Sequence, residues 1–279
     1  MTVSVIIVNY NTPDLVAQAV ASVCKFLSKI TFEIIVVDNA STVGCVKTAL
    51  QPFPKVVLLS SPQNIGFGRA NNLGYACASG AYVLLLNSDA YLIDETSVPI
   101  MIQYLQAHND VGIVGPNFIK ADGSRNYSYG HLLGTRKILN DIDLWPIPEA
   151  RWGDYATYKV CEMMQPQEVG YLAAAGILIK KEVIEKQGLF DPHIFLYFED
   201  MELGWRYKKA GIKSVILPHT TIVHLGGSSM STLPAAAAKK IYSSKSYFVK
   251  KKYGFFIFGI FEVLSVLRLI FKRLKSRFS

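Results

Sequence analysis

The hydrophobic positions of this chain fall into two rhythms. Short, nearly unbroken apolar runs occur at Val3–Val8, Phe32–Val37, Val56–Leu59 and Tyr82–Leu86. Their β-branched, non-alternating character is that of strands buried on both faces. Between them lie helical periods. Thr12 reads as an N-cap with Pro13 at the first helical position, and Leu15, Val16, Ala19, Val20 and Val23 follow on one face. The Asn64–Asn72 segment opens a second helix, and further on a helix around Glu95–Asn109 precedes a strand at Gly112–Asn117. Alternation of this kind predicts an α/β fold with a mostly parallel central sheet covered by helices on both faces.

From 118 to 168 the rhythm is lost. The segment is rich in Tyr, Trp, Pro and Gly and reads as an irregular excursion, either pocket-lining or a surface insertion. Regularity returns at Val169–Lys180, where Ala173-Ala174-Ala175-Gly176 permits close backbone approach. A short helix at Lys181–Gln187 stops at Gly188. A helix at Met201–Ala210 puts Leu203 and Tyr207 on one face and lets Glu202 pair with Arg206. Strands at Ser214–Leu217 and around Thr221–Leu225 end the globular part, giving one domain over residues 1–230 and a C-terminal segment over 231–279.

The polar residues matter most where they interrupt these runs. Three strands end in polar clusters, at Asn9–Asn11, Asp38–Ser41 and Asn87–Asp89. Each cluster alone is an ordinary turn. In a parallel sheet, however, they share the carboxyl edge, where ligands bind, and a carboxylate such as Asp89 could there anchor a hard divalent cation and its phosphates. The two glycines of Gly66-Phe67-Gly68 lack dinucleotide-fingerprint spacing and are expected to let a helix N-terminus approach a ligand. Trp145, Trp152 and Trp205 could stack on sugars, but packing is the expected role.

Composition sharpens the picture. Of 279 residues, 51% are hydrophobic and 18% charged, which supplies a core and argues against disorder. Cys24, Cys45, Cys77 and Cys161 are scattered, as expected in a reducing compartment without a thiolate metal site. After Met1-Thr2 the chain enters a strand directly, so no cleaved signal is expected. Charge is segregated: residues 239–279 hold eleven Lys or Arg against Glu262, whereas 1–238 hold 18 basic and 20 acidic residues. A near-neutral globular part argues against nucleic acid as a partner.

The tail has two parts, an Ala- and Lys-rich helix at Ala235–Lys252 and a nearly continuous apolar stretch at Tyr253–Phe278. Glu262, Ser265, Arg268, Lys272, Lys275 and Ser279 form one narrow polar stripe. Charges at 262 and 268 disfavour a bilayer span. The expected arrangement is an amphipathic helix lying on an anionic membrane surface; the other reading of its apolar side is packing, within the chain or in a homodimer.

Six ordered segments carry a resemblance: Val5–Asn11, Val37–Ser41, Asn64–Gly68, Asn87–Asp89, Phe198–Asp200 and Val223–Gly227. In this order they resemble family-2 glycosyltransferases, in particular bacterial rhamnosyltransferase-like members, over roughly residues 3–228. The resemblance implies a GT-A fold, a nucleotide-diphosphate-sugar donor (a dTDP-rhamnose, for example), inversion at the anomeric carbon and Mg²⁺ or Mn²⁺. It implies a donor site at Val8, Tyr10, Asp38, Asn64, Gly66, Arg69, Asn87, Ser88 and Asp89. Tyr10 would contact the base, Asp38 a pyrimidine imide, and Arg69 the base or diphosphate. Asn87 stands where the family usually has the first Asp of Asp-x-Asp, which leaves Asp89 as the charged metal ligand, with His224 as either a second ligand or a plain strand-end histidine. Gly176, Asp191 and Glu199 would lie on the acceptor side. Asp200 would be the general base, its plainer reading being a helix N-cap and Glu199 the alternative base. A saccharide or prenyl-diphosphate-linked acceptor would give the tail its purpose and put the enzyme in the cytoplasm, peripheral on the inner membrane face. The rivals are a nucleotidyltransferase, which would want a Gly-rich basic loop after the first strand, and a non-catalytic membrane-tethered binding protein.

Overall fold

The computed structural model describes residues 3–132, 158–226 and 235–278. Trp145, Trp152 and much of the 118–168 excursion lie outside them. The strands are β1 (Val3–Asn9), β2 (Phe32–Asp38), β3 (Val57–Ser60), β4 (Tyr82–Asn87), β5 (Ala90–Leu92), β6 (Val111–Ile119), β7 (Tyr127–Gly130), β8 (Tyr158–Val160), β9 (Gln167–Val169), β10 (Tyr171–Leu172), β11 (Gly176–Lys180) and β12 (Lys213–His224). The helices are α1 (Pro13–Phe26), α2 (Val46–Ala49), α3 (Phe67–Tyr75), α4 (Ser97–Ala107), α5 (Lys181–Gln187), α6 (Glu199–Lys209) and α7 (Ala235–Phe278).

A nine-stranded sheet in the order β3-β2-β1-β4-β11-β6-β12-β5, with β9 on β12, forms the centre. Among the described residues, six of its nine strands run one way, while β5, β9 and β11 run against them. Alternate residues of one strand enter opposite cores, which explains the unbroken apolar runs. On β1, Val3, Val5 and Ile7 face α1 and α4, while Ile6 faces the other side. On β4, Leu84 and Leu86 go one way and Val83 and Leu85 the other. Each such side chain contributes about 1.5–3 kcal/mol of burial.

Several expectations need correction. Thr12 is the N-cap residue of α1 but makes no side-chain cap bond; its hydroxyl is drawn away to Asn9 and Ser88. The two strands expected at 214–217 and 221–225 are one strand, β12, with a register shift between Leu217 and Thr221, where Pro218 can donate no ladder bond. The excursion from 118 begins inside β6, and β7 and β8 join β10 in a second, antiparallel three-stranded sheet. Strands this short carry no readable period.

The tail departs most from expectation. Gly254, at φ 78° and ψ 177°, breaks α7, a conformation that glycine adopts without strain. The chain reverses there, because Tyr242 and Ser246 before the break both donate to Glu262 beyond it, at 3.1 and 2.6 Å, and Tyr242 stacks on Phe261. Glu262 and the buried Ser265 thus face inward, not along an outer polar stripe. The first arm packs on α6: its Phe248, with Phe261 of the second arm, is fully buried in one cluster with Tyr171 and Met201, and Trp205 stands edge-on to Phe248. The second arm leaves Phe255, Phe256, Val263, Val266 and Leu267 exposed. Among the described residues no helix is long and apolar enough to cross a membrane.

Candidate active site

The carboxyl ends of β2, β1 and β4 lie side by side, with Asn9 paired to Asp38 and Val8 to Asn87. The three polar clusters therefore converge. Asn9 Nδ2 donates to Asp38 Oδ1 at 3.1 Å and to Ser41 Oγ at 2.9 Å, and Ser41 Oγ donates to Asp38 at 2.5 Å. Thr12 bridges Asn9 and Ser88, both at 2.9 Å. A second tie runs outward: Asn39 Nδ2 donates to Asn64 Oδ1, while its own Oδ1 accepts the Ile65 N–H. Above this ribbon the Tyr10 side chain is 46% exposed, free to stack on a flat ligand. Val8 sits half-buried beneath, packed with Leu59 and Ile65.

Asp89 and His224 come from opposite ends of the sequence and meet because His224 pairs with Ala90 in the β5–β12 ladder. Asp89 Oδ1 lies 3.4 Å from His224 Nε2. Two ligands in adjacent positions of an octahedral cation, each about 2.0–2.2 Å from it, stand about 3 Å apart, so this pair fits one side of such a sphere. Among the described residues no third His, Cys, Asp or Glu joins them. The remaining positions would go to diphosphate oxygens and water, the arrangement Mg²⁺ favours with phosphate ligands.

Two buried acceptors at this edge have no protein partner among the described residues, Asn87 Oδ1 and Asn117 Oδ1. A buried polar atom left unpaired costs about 1–3 kcal/mol, so both are set to receive a donor group such as a sugar hydroxyl. Asn117 escaped sequence reasoning. Its only signal is a polar residue interrupting the apolar run of β6 near its carboxyl end.

On the other side of the cleft, Asp200 is the second residue of α6, not its N-cap. That position falls to Phe198, at φ 69°, preceded by Tyr197 at φ 61°. Two successive non-glycine residues in the left-handed region store about 1–3 kcal/mol each and turn the chain sharply into the helix. Asp200 Oδ2 accepts the Ala174 N–H at 3.3 Å, and the neighbouring Ala175 carbonyl accepts the Asn87 N–H at 3.1 Å. Asp200 is thereby linked to the end of β4 through two residues, Ala174 and Ala175. Glu199 is buried, and its Oε2 has no partner among the described residues. Burial, then the charge of Asp200, pushes its carboxyl well above the usual range. Both causes favour its protonated form, which makes it a weaker candidate for the base than Asp200.

Other expected residues sit differently from their expected neighbours. Arg69 is exposed, and its Nε donates to the Pro192 carbonyl, tying α3 to the segment before α6. A Cβ on Gly66 would lie 2.3 Å from the Phe195 carbonyl oxygen, and one on Gly68 would press on Phe190. The Phe67 N–H already donates to that Phe195 carbonyl. These glycines admit the 190–195 segment against the start of α3. Gly176 lies in β11 opposite Leu86, and an added Cβ would meet Ile222 and Phe118 at 2.9 Å, so its smallness serves core packing. Asp191 accepts from Lys251 at 2.5 Å, Tyr247 at 2.9 Å, and the His193 main chain and ring at 2.9 Å. Burial alone would raise its carboxyl, but these donors, Lys251 foremost, hold it far below the ordinary range.

The profile of "Glycosyl transferase family 2" matches residues 4–188. The chain belongs to this family. This family-2 member is 26% identical over 239 residues to the "N-acetylglucosaminyl-diphospho-decaprenol L-rhamnosyltransferase" of Mycobacterium tuberculosis, covering 79% of this chain and 75% of that protein. It is 26% identical over 226 residues to the "dTDP-rhamnosyl transferase RfbF" of Shigella flexneri, covering 80% and 68%. Among solved structures it is similar to S. aureus TarS 1–349 in complex with UDP-GlcNAc (TM-score 0.59, 17% identity, 89% of this chain and 66% of that one). It is also similar to the Pyrobaculum calidifontis mannosyltransferase PcManGT with GDP-Man and Mn²⁺ (TM-score 0.56, 15% identity, 98% and 83%). The family-2 chain thus has the GT-A fold.

Proposed function

We propose that this family-2 glycosyltransferase is an inverting enzyme that moves a sugar from a nucleotide-diphosphate donor to a lipid-linked or polysaccharide acceptor. The observation that carries the reading is the link from Asp200 through Ala174 and Ala175 to Asn87, two residues from the Asp89–His224 pair. A base and a diphosphate anchor flank one cleft. The activities of those relatives favour dTDP-L-rhamnose as donor and a prenyl-diphosphate-linked N-acetylglucosamine as acceptor.

In this reading Tyr10 stacks on the base and Asp38 accepts its imide N–H, with Val8 beneath. Asn64 and Gly66 shape that side of the donor pocket, and Asn87 and Ser88 receive ribose hydroxyls. Asp89 and His224 would hold Mg²⁺ or Mn²⁺, which neutralises charge developing on the leaving diphosphate. Asp200 takes the acceptor hydroxyl's proton as the oxygen bonds to the anomeric carbon and the bond to the diphosphate breaks. Attack opposite the leaving group inverts the centre. The exposed apolar face of the second α7 arm, with Lys272, Arg273, Lys275 and Arg277 further along the sequence, supports peripheral binding to the anionic inner face of the cell membrane. There a lipid-linked acceptor would be presented. The deciding experiment is turnover with dTDP-, UDP- and GDP-sugars and prenyl-diphosphate N-acetylglucosamine, with and without Mn²⁺. Transfer with inversion is expected from a dTDP-sugar; neither transfer nor donor hydrolysis from any of them would overturn the proposal.

A further inference from the structure

The segment that leads into Asp200 is held from outside the GT-A sheet. Lys251 Nζ, on the first arm of α7, lies 2.5 Å from Asp191 Oδ2 and 2.7 Å from Glu202 Oε1. Asp191 opens the segment and Glu202 stands two residues past Asp200, so one ammonium spans its two ends. Both carboxylates are enclosed, at 6% and 0% side-chain exposure. One turn earlier on the same helix face, Tyr247 donates to the same Asp191 oxygen at 2.9 Å. A further turn back, Ser244 Oγ accepts the Phe195 and Leu196 N–H groups at 3.1 and 3.4 Å. Lys240, another turn back, sets its ammonium 3.8 Å from the centre of the Phe195 ring. Residues 240, 244, 247 and 251 thus meet the segment along its length, as spacings of three and four on one helical face require.

We infer that Lys251, with Tyr247 and Ser244, is a positioning residue for sugar transfer: the C-terminal helix fixes the Asp191–Phe198 segment and so the first turn of α6 that carries Asp200. The inference deepens the function proposed above and rests on Asp200 as base. The physical reason is the pair of enclosed carboxylates. Glu202 keeps a second cation, since Arg206 donates to both of its oxygens. Asp191 otherwise has only hydrogen bonds and the exposed His193 ring. Without the ammonium an enclosed anion must move toward water, and the segment moves with it. The same segment carries the Phe195 carbonyl that receives the donor-side Phe67 N–H. A shift would therefore alter how base and donor face each other more than it alters the nucleotide pocket.

The test is steady-state kinetics on the full chain, with the dTDP-sugar the wild type uses and prenyl-diphosphate N-acetylglucosamine as acceptor. Lys251→Met is expected to lower kcat about 10- to 100-fold, the range for a small misplacement of reacting groups. Nucleotide affinity measured by titration should stay within about twofold, and Lys251→Arg should recover most of the loss. In a cycle with Asp191→Asn the two effects should not add. Unchanged kcat in Lys251→Met, or a parallel loss of nucleotide affinity, would overturn the inference. If Lys251→Met does not fold, Tyr247→Phe decides it: an acceptor kcat/KM equal to wild type counts against the clamp. If the wild type transfers no sugar at all, the Asp200 reading fails first. Amide exchange then judges the clamp separately, and unaltered protection of residues 191–198 in the variant would sink it.

Discussion

The two sides of the cleft are built from different materials. On the proposed donor side, Asn9, Ser41, Thr12, Ser88, Asn39 and Asn64 form a ribbon of hydrogen bonds mostly between uncharged side chains, with the Asp38 carboxylate at its centre, at the ends of adjacent strands. On the proposed acceptor side, Asp191, Lys251, Glu202 and Arg206 form a cluster of enclosed charges held by the C-terminal helix. Neutral bonds between sheet residues hold geometry with little response to pH or salt. Enclosed charges respond to both, because each depends on its partner's protonation. On the proposed reading the difference teaches where this enzyme is adjustable: the sheet would set recognition of the nucleotide, while the geometry of proton removal would depend on electrostatics and on α7.

Four experiments would break or sharpen that contrast. The largest effect is expected from Asp200→Asn, with kcat lower by about 10²- to 10⁴-fold and nucleotide binding by titration unchanged; full activity would end its assignment as base. Next, Phe248→Ala should cost about 3–5 kcal/mol in urea unfolding of the full chain, since the ring is fully buried against α6. A loss under about 1 kcal/mol would mean that the arm is not part of the folded unit. Asp89→Asn should weaken Mn²⁺-dependent binding of dTDP by about 10- to 100-fold while leaving metal-free nucleotide binding in place. Equal affinity with and without the cation in the wild type would remove Asp89 and His224 from that role.

The smallest effect concerns pH. The Glu199 carboxyl is raised in the folded state, so folding takes up a proton above its unfolded pKa of about 4.3. Its contribution is fully present at lower pH and is lost as pH rises toward the folded value. Asp191 has the opposite sign: its stabilisation is present above about pH 4 and lost as pH falls. Stability of Glu199→Gln should therefore fall less than wild type between pH 5 and 8, with a slope difference of up to about 1.4 kcal/mol per pH unit. An identical slope would mean that Glu199 ionises freely.

Much of the donor side could be read from residues alone. Strands buried on both faces announce themselves as unbroken apolar runs, and their polar ends had to converge once the sheet was parallel. Asp89 stood out at its strand end, but its pairing with His224 was reachable only through the resemblance, since 135 residues separate them in sequence. The acceptor side was less legible, for physical reasons. The bond from Lys251 to Asp191 spans 60 residues, and nothing in a lysine-rich helix distinguishes Lys251 from the lysines around it. Gly254 reads like any glycine in a helical pattern, so the reversal of α7 was invisible, and Glu262 looked like part of an outer stripe. Gly66 and Gly68 were seen, but only the fold shows that the Phe195 carbonyl and Phe190 occupy their space.

The long reach of Lys251 also has a consequence in time. A growing chain exposes Glu202 and Asp191 for 49 and 60 residues before their cation is made. At roughly 5–20 residues per second, Asp191 waits about 3–12 s during synthesis. For that interval the nascent sheet can assemble its nucleotide side while the neighbourhood of Asp200 lacks its final brace. On the proposed reading, competence for transfer is then acquired late, with the first arm of α7, just before the arm proposed to meet the membrane.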